Sequence, residues 1–191
     1  MVNKIVFIVG MAGSGKSIVS DQLVKRGFAY VRFGQIIIDE IKKQGLETNE
    51  TNEKMIREQL RQKHGMGALA TLNLLKFDEY LKNSPVVGDG LYSWTEYKIL
   101  KEKYGDVMHV LAVYAPAKLR YERLENRAVI NDPDSRFRSI PKEKSKLRDY
   151  SEIENIEKGG PIAMADFTII NTGAIEDTKR QLDIFLAQIN T

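Results

Sequence analysis

The chain has no cysteine among its 191 residues, and this absence removes several kinds of chemistry. Disulfide bonds, zinc sites with thiolate ligands and catalysis by a thiol all require cysteine. The absence does not identify the compartment, because a cysteine-free chain is compatible with oxidising and reducing surroundings alike. The length is typical of one domain and is sufficient to bury a hydrophobic core.

Long apolar runs are also missing. No stretch approaches the roughly 18 apolar residues of a membrane span, and the first apolar run, at residues 5–9, is too short for a signal peptide. We therefore expect a cytoplasmic protein without a membrane partner. The net charge of +3 is too small to indicate a nucleic-acid partner, and we expect none. The sequence leaves the oligomeric state open.

A glycine-rich segment, GMAGSGKS, follows the first apolar run and has the spacing G-x-x-x-x-G-K-[ST] of a phosphate-binding loop. Glycines allow the backbone to approach a phosphate closely, so that successive N–H groups can bind it at the N-terminus of the next helix. The lysine would reach the β- and γ-phosphates, and the serine hydroxyl would bind Mg²⁺. The candidate ATP-binding residues of this loop are Gly10, Met11, Ala12, Gly13, Ser14, Gly15, Lys16 and Ser17.

The context of the loop supports this interpretation. Residues 4–9 are β-branched and aromatic and predict a strand, whereas residues 16–26 predict a helix. A chance glycine loop is the alternative. The dinucleotide fingerprint G-x-G-x-x-G does not fit, because Ile18 stands where its third glycine belongs.

Strand and helix patterns alternate along the rest of the chain. They predict five strands and a final helix whose apolar face holds Ile175, Leu182, Leu186 and Ile189. Such alternation predicts a parallel sheet with helices on both faces. We therefore expect a single α/β domain over residues 1–191, a three-layer P-loop NTPase with a five-stranded parallel sheet.

Charged residues after two of the predicted strands are candidates for catalysis. Asp89 ends the third strand in VVGDG, where a carboxylate can hold Mg²⁺ and its water shell; a turn-forming Asp-Gly pair is the alternative. Arg120, Arg123 and Arg127 follow the fourth strand at helical spacing i, i+3, i+7. They could neutralise charge during phosphoryl transfer, or form a solvated face paired with neighbouring glutamates.

Two further basic groups have less distinctive patterns. Arg57, Arg61 and His64 share a helix face between the second and third strands, where an acceptor phosphate could be held; a solvated helix face is the alternative. Residues 136–148 hold six basic residues and one acidic residue and could close over a nucleotide as a lid, or form a solvated loop. His109 lies in an apolar strand, and we expect it to be a core residue.

The whole chain resembles the nucleoside and nucleotide kinases of the P-loop NTPases. The resemblance rests on GMAGSGKS, GDG, VYAPAKLRYERLENR, LRDYSE and ADFTIINTG. The resemblance extends to adenylate kinase, to dephospho-CoA kinase and to a group of archaeal proteins related to adenylate kinase. The resemblance implies Mg-ATP as phosphoryl donor, a helical acceptor-binding insertion at about residues 34–83 and a lid at about residues 131–148. It also implies that Asn171 and Gly173 lie near the adenine ring. From its spacing with Arg123 and Arg127, we also count Arg120 among the ATP-binding residues.

The acceptor side departs from both relatives. Adenylate kinases have an arginine shortly after strand two and another after the Asp-Gly of strand three; here those stretches read GQIII and GLYS. Dephospho-CoA kinases have an aspartate base after strand two, and this chain has none there.

Two functions remain open at the level of sequence. The first is a kinase that transfers the γ-phosphoryl group of ATP to a small phosphorylated, nucleotide-like acceptor. In this interpretation Lys16, Asp89, Arg123 and Arg127 are catalytic, Ser17 and Asp89 bind Mg²⁺, and Arg57 and Arg61 bind the acceptor. The second is an ATP-binding switch or assembly factor that hydrolyses ATP slowly and has no small-molecule acceptor.

Overall fold

The computed structural model of the protein describes residues 3–127 and 139–189. Five strands form one sheet in the order β2-β3-β1-β4-β5, and every pairing is parallel. The predicted α/β fold with a five-stranded parallel sheet is confirmed. The strands are β1 (Ile5–Val9), β2 (Ala29–Arg32), β3 (Val86–Asp89), β4 (Met108–Tyr114) and β5 (Phe167–Ile170).

Nine α-helices connect or flank the strands in the described residues. They are α1 (Lys16–Lys25), α2 (Gln35–Lys43), α3 (Glu50–His64), α4 (Ala68–Leu81), α5 (Trp94–Tyr104), α6 (Ala117–Glu125), α7 (Lys142–Ile156), α8 (Gly159–Ala163) and α9 (Ile175–Ile189). None of these helices combines the length and the apolar composition needed to cross a membrane.

The central strand β1 divides the core into two halves. Successive side chains of a strand point to opposite faces, and all five residues of β1 are buried. Ile5, Phe7 and Val9 belong to one apolar cluster, which contains residues of α2, α3, α4 and α5. Val6 and Ile8 belong to the other, which contains residues of α1 and α9. The sheet is therefore the middle layer of three.

The helical residues 50–81 are divided into α3 and α4 at the glycines of HGMG. Gly65 ends α3 with a φ of 80°, a conformation that glycine adopts without a Cβ penalty. The helix after β4, α6, ends at Glu125, so Arg127 lies beyond its last turn. Residues 128–138 lie outside the described residues, and they include residues 131–138 of the predicted lid.

The predicted apolar face of the last helix is partly wrong. Ile175, the first residue of α9, is 49% exposed, whereas Leu182 is fully buried. Phe185, which was not predicted, is buried against Phe167 of β5, and it meets the ring of His109 on β4 edge-on. The buried face of α9 is therefore set by packing against β4 and β5, which buries Phe185 and leaves Ile175, at the start of the helix, exposed.

An aromatic cluster fills the core between β1 and α4. The rings of Phe7, Phe33 and Phe77 lie 5.3 to 5.8 Å apart in edge-on or tilted pairs. Gly88 of β3 lies directly against this cluster, and a Cβ at that position would be 2.6 Å from Cε1 of Phe7. The chain therefore needs glycine in the middle of β3 for a packing reason.

We predict that Gly88→Ala lowers the free energy of unfolding by about 1–3 kcal/mol, because the added methyl group overpacks a filled core. Urea denaturation of the variant measures this loss. Gly159→Ala is the matched control, since a Cβ there meets no atom within 4 Å and alanine is the better helix former. Equal stability of Gly88→Ala and the wild type would contradict the packing described here.

Candidate functional site

The loop of residues 10–15 joins β1 to α1 and lies against three neighbouring segments. Gly10, Gly13 and Gly15 have φ values of 140°, 77° and 102°, a region that favours glycine. A Cβ on Gly10 would collide with the carbonyl oxygen of Val113 in β4, and one on Gly13 would lie 2.7 Å from the carbonyl oxygen of Arg120. The loop therefore requires glycine for both conformation and space.

The third contact of the loop is made by Asn171, which follows β5. Its side chain donates a hydrogen bond to the carbonyl oxygen of Ser14 (2.8 Å) and accepts one from the hydroxyl of Thr178 (3.2 Å). A Cβ on Gly15 would collide with the same amide group. Asn171 thus connects the turn between β5 and α9 to the loop.

The N-terminus of α1 is arranged to receive an anion. Gly15 is its N-cap residue and provides no side-chain cap, and the first turn holds no acidic residue. The first backbone N–H groups of a helix have no intrahelical partner and carry partial positive charge. The Oγ atom of Ser14 is also buried without a hydrogen-bond partner among the described residues. These features fit a phosphate.

Lys16 folds back over the loop. Its ammonium donates hydrogen bonds to the carbonyl oxygens of Gly10 (2.8 Å) and Met11 (3.1 Å). Burial and the positive charge of Lys158 lower the pKa of Lys16 to about 7, against the opposing effect of Asp89. Lys16 is therefore a cation that its surroundings only partly stabilise.

Asp89 lies at the end of β3, beside the loop. The register pairs Ile8 of β1 with Asp89, and the Tyr30 hydroxyl donates a 2.9 Å hydrogen bond to its Oδ2. No group of three or more His, Asp or Glu residues that could hold a metal occurs in residues 3–127 and 139–189. A Mg²⁺ ion at this site would therefore depend on few protein ligands and on phosphate oxygens, as is usual for Mg²⁺.

A cavity of about 260 Å³ opens beside the loop. It brings together residues of the loop, of α6 and of the turn after β5, most of which the sequence predicted. One nitrogen of Arg123, Nη1, is buried there without a hydrogen-bond partner among the described residues. The sequence did not predict the two isoleucines of the lining. The lining residues are Gly13, Gly15, Ser17, Ile18, Arg123, Arg127, Asn171, Gly173 and Ile175.

Arg120 has a different position from the one expected. It does not line the cavity and is only 6% exposed. Its guanidinium donates to the carbonyl oxygens of Ala12 (2.9 Å) and Ala115 (3.1 Å), and it forms a two-pronged pair with Asp149 at 2.6 and 3.1 Å. Four of its five N–H groups are thus used within the protein, and this geometry favours support of the loop over direct contact with ATP.

The two arginines proposed for the acceptor lie on α3, away from the cavity lining. Both are half-buried. Nε of Arg61 is buried without a hydrogen-bond partner among the described residues. Burial lowers the pKa of Arg61, whereas the nearby Glu96 raises it. Arg61 is therefore near the first turn of α5, the helix that follows Asp89, and Arg57 lies one turn earlier on α3.

A buried lysine that the sequence did not indicate lies near the loop. Lys158 precedes α8, and its ammonium pairs with Oε2 of Glu152 at 2.5 Å. Oε1 of Glu152 accepts a 2.9 Å hydrogen bond from Nε of Arg148. Of the predicted lid, only residues 139–148 are described, and Arg148 on α7 is the basic residue among them that approaches this cluster.

Proteins of known sequence and structure resemble this chain over its whole length. A UPF0200 protein of Thermococcus gammatolerans is 35% identical over 187 residues, which cover 97% of this chain and 95% of that protein. A UPF0200 protein of Thermococcus onnurineus is 34% identical and covers 97% of both. These matches cover nearly the whole chain and are not confined to the loop.

Among solved structures, the fold is similar to that of TT1252 from Thermus thermophilus, with a TM-score of 0.66 at 17% identity over 98% of both chains. A gluconokinase from Sinorhizobium meliloti 1021 has a TM-score of 0.59 at 14% identity, covering 98% of this chain and 93% of the other. A shikimate kinase from Bacteroides thetaiotaomicron has a TM-score of 0.60 at 10% identity, covering 98% and 99%. Such likenesses establish the fold alone.

The expected resemblance to P-loop kinases is confirmed at the level of the kinase-like fold, and these comparisons do not single out adenylate kinase or dephospho-CoA kinase. Residues 6–157 match the family model described as an AAA domain. The chain therefore belongs to the AAA domain family over those residues and, as a whole, to the UPF0200 proteins.

Proposed function

We propose that the protein is an ATP-dependent phosphotransferase that moves the γ-phosphoryl group of ATP to a small, phosphorylated, nucleotide-like acceptor. The observation that carries the proposal is the glycine loop, with its open helix N-terminus, beside a cavity lined by Arg123 and Arg127. The kinase names of two structural neighbours support the same class of reaction.

The described residues fit ATP with Mg²⁺. The loop leaves a cradle that any Cβ at Gly10, Gly13 or Gly15 would disturb, and its backbone N–H groups would hold the β-phosphate. Lys16 would exchange its two carbonyl partners for phosphate oxygens. Ser17 and Asp89 would hold Mg²⁺, which neutralises charge on the phosphates when it is bound.

The remaining cavity residues have complementary roles in this proposal. Arg123 and Arg127 would face the phosphates, where guanidinium groups stabilise the charge that develops in transfer. Ile18, Gly173 and Ile175 add an apolar surface to the lining, which would suit the base of the nucleotide. Asn171 and Arg120 would hold the loop in shape from two directions.

The acceptor is proposed to lie between α3 and the first turn of α5, where Arg57 and Arg61 could hold its phosphate. The partly desolvated guanidinium of Arg61 supports this location, because burial without a full set of partners favours binding of an anion. The proposal keeps the acceptor in the helical region between β2 and β3, at the same edge of the sheet as Asp89.

A second function is favoured by one observation. The residues that directly follow β2 and β3 carry no arginine, and the isoleucines after β2 are used to pack α2, with Ile37 and Ile38 buried. A site of this kind could bind ATP and change shape without a small-molecule acceptor. Turnover of ATP measured with a panel of nucleoside monophosphates separates the two functions: transfer to any of them supports the kinase, and slow hydrolysis alone supports the switch.

We predict that ATP binding takes up a proton on Lys16. In the protein without ATP, the pKa of Lys16 is about 7, and bound phosphates raise this pKa. At about pH 8, where Lys16 is mostly neutral before binding, about one proton is taken up. At about pH 6, where Lys16 is already protonated, almost none is taken up. Calorimetry in buffers of different ionisation enthalpy measures the uptake. Lys16→Ala should lose the uptake and weaken ATP binding. Lys25→Ala, an exposed lysine of the same helix, is the control, and uptake that persists in Lys16→Ala would refute the assignment.

We predict that Arg123→Ala lowers the rate of phosphoryl transfer by about tenfold or more and changes ATP affinity by less than about threefold, because its charge acts mainly on the transition state. Single-turnover rates and equilibrium binding measure the two effects. Arg180→Ala, on the exposed surface of α9, should change neither. Unchanged transfer in Arg123→Ala would place this arginine on a solvated face instead.

We predict that replacing Arg57 and Arg61 together by alanine abolishes binding of nucleoside monophosphates and leaves ATP binding at the loop intact. Each single change should weaken monophosphate binding, because each removes one charged partner of the phosphate. Lys63→Ala, an exposed change on the same helix, is the control. A crystal structure with a bound monophosphate whose phosphate is distant from both arginines would overturn this prediction.

A further inference from the structure

Lys158 is buried to a degree that is rare for lysine. Only 2% of it is exposed, and it lies at the junction of α7 and α8, where its backbone N–H donates to the carbonyl oxygen of Glu152. A buried ammonium is costly unless an anion partners it. Oε2 of Glu152 supplies that anion at 2.5 Å.

Glu152 serves two cations at once. Its Oε2 pairs with Lys158, and its Oε1 accepts the hydrogen bond of Nε of Arg148. Burial by itself raises the pKa of Glu152, but Lys158 and Arg148 outweigh burial and lower it to about 2. Glu152 is thus an anion throughout the physiological range, and the group of three residues keeps a net charge of one positive unit.

This group lies beside the segment that follows β3. The Lys158 ammonium lies 4.6 Å from the ring centre of Tyr92, in the segment that directly follows Asp89 and Gly90. Of the neighbouring charges, that of Lys158 acts most strongly on the pKa of Lys16. The ammonium of Lys158, held at the junction of α7 and α8, is therefore close enough to Lys16 for the two positive charges to repel each other.

The chemistry of phosphoryl transfer calls for such an arrangement. Charge in the transition state is spread over three equatorial oxygens, and one lysine reaches them from one side only. A second ammonium held in a water-poor site stabilises that charge far more than an exposed one would. The carboxylate of Glu152 lies between the cations of Lys158 and Arg148 and binds both of them.

We propose that Lys158 is a second phosphate-binding lysine that contacts the terminal phosphoryl group of ATP, and that Glu152 is the positioning residue that holds its ammonium beside the loop. This inference rests on the proposed function, since it takes ATP as the ligand. It adds a contact from the segment after the lid, at the junction of α7 and α8.

The test compares two nucleotides that differ in the terminal phosphate. Binding of ADP and of the non-hydrolysable analogue AMP-PNP, each with Mg²⁺, is measured by calorimetry for the wild type and for Lys158→Met. Loss of a charge-assisted contact should weaken AMP-PNP by about 10- to 100-fold and ADP by less than about threefold. Lys118→Met, an exposed lysine on α6, removes the same charge and should change neither affinity.

A double variant guards against a purely structural effect. Glu152→Gln combined with Lys158→Met removes both members of the buried pair. Arg148 loses its carboxylate partner in this variant, but its side chain is 43% exposed and stays in contact with water. If Lys158 contacts the phosphate, this variant folds and still binds AMP-PNP weakly. If Lys158 serves only to neutralise Glu152, the double variant recovers AMP-PNP binding, which overturns the proposal.

Two other outcomes are informative. Equal loss of ADP and AMP-PNP in both variants would also overturn the proposal, since the effect would not depend on the terminal phosphate. Failure of the wild-type protein to bind either nucleotide would refute the proposed function itself, and with it this inference. Failure of the Lys158 proposal is therefore distinguishable from failure of the proposed function, because in the first case the wild-type protein still binds nucleotide.

Discussion

The loop between β1 and α1 lies in backbone contact with β4, α6 and the turn after β5, and the rest of the site depends on that close approach. The contact is possible only because Gly10, Gly13 and Gly15 have no side chains. A loop held this closely keeps its N–H groups in a fixed arrangement before any ligand arrives. Such preorganisation means that the cost of ordering the site is met during folding rather than during binding.

Two polar contacts fix the loop from different directions. Arg120 reaches the carbonyl oxygen of Ala12 while it is itself held by Asp149 of α7. Asn171 reaches the carbonyl oxygen of Ser14 from the end of β5. Since α7 begins within the segment predicted to form the lid, the pair of Arg120 and Asp149 joins that part of the chain directly to the loop.

Buried positive charge is the second organising feature of the site. Lys16 is half-buried and Lys158 is buried, and each has a pKa lowered first by the loss of hydration. Each is stabilised only in part, Lys16 by carbonyl oxygens and Lys158 by Glu152. An anion with several charges, such as a triphosphate, would stabilise the two ammonium groups more than their partners in the protein do.

Local patterns in the sequence predicted the features that depend on neighbours in the chain. The glycine spacing, the β-branched run before it and the helix after it are all contained within residues 4–26, and the structure has that order. The grouping of Arg123 and Arg127 with the loop was also predicted, because the carboxyl ends of parallel strands meet at one edge of the sheet. The buried face of α9 was predicted less well, since Phe185 is selected by packing on β5 and β4.

The sequence by itself determined the fold class and the phosphate loop, since spacing and periodicity act over a few residues. Only the tertiary structure decided the role of Arg120, whose partner Asp149 is 29 positions away, and that of Asn171, which contacts a residue 157 positions away. It also decided the burial of Lys158, which stands in a polar stretch with no apolar periodicity. Contacts between distant segments depend on how the layers pack, and a local pattern does not contain that information.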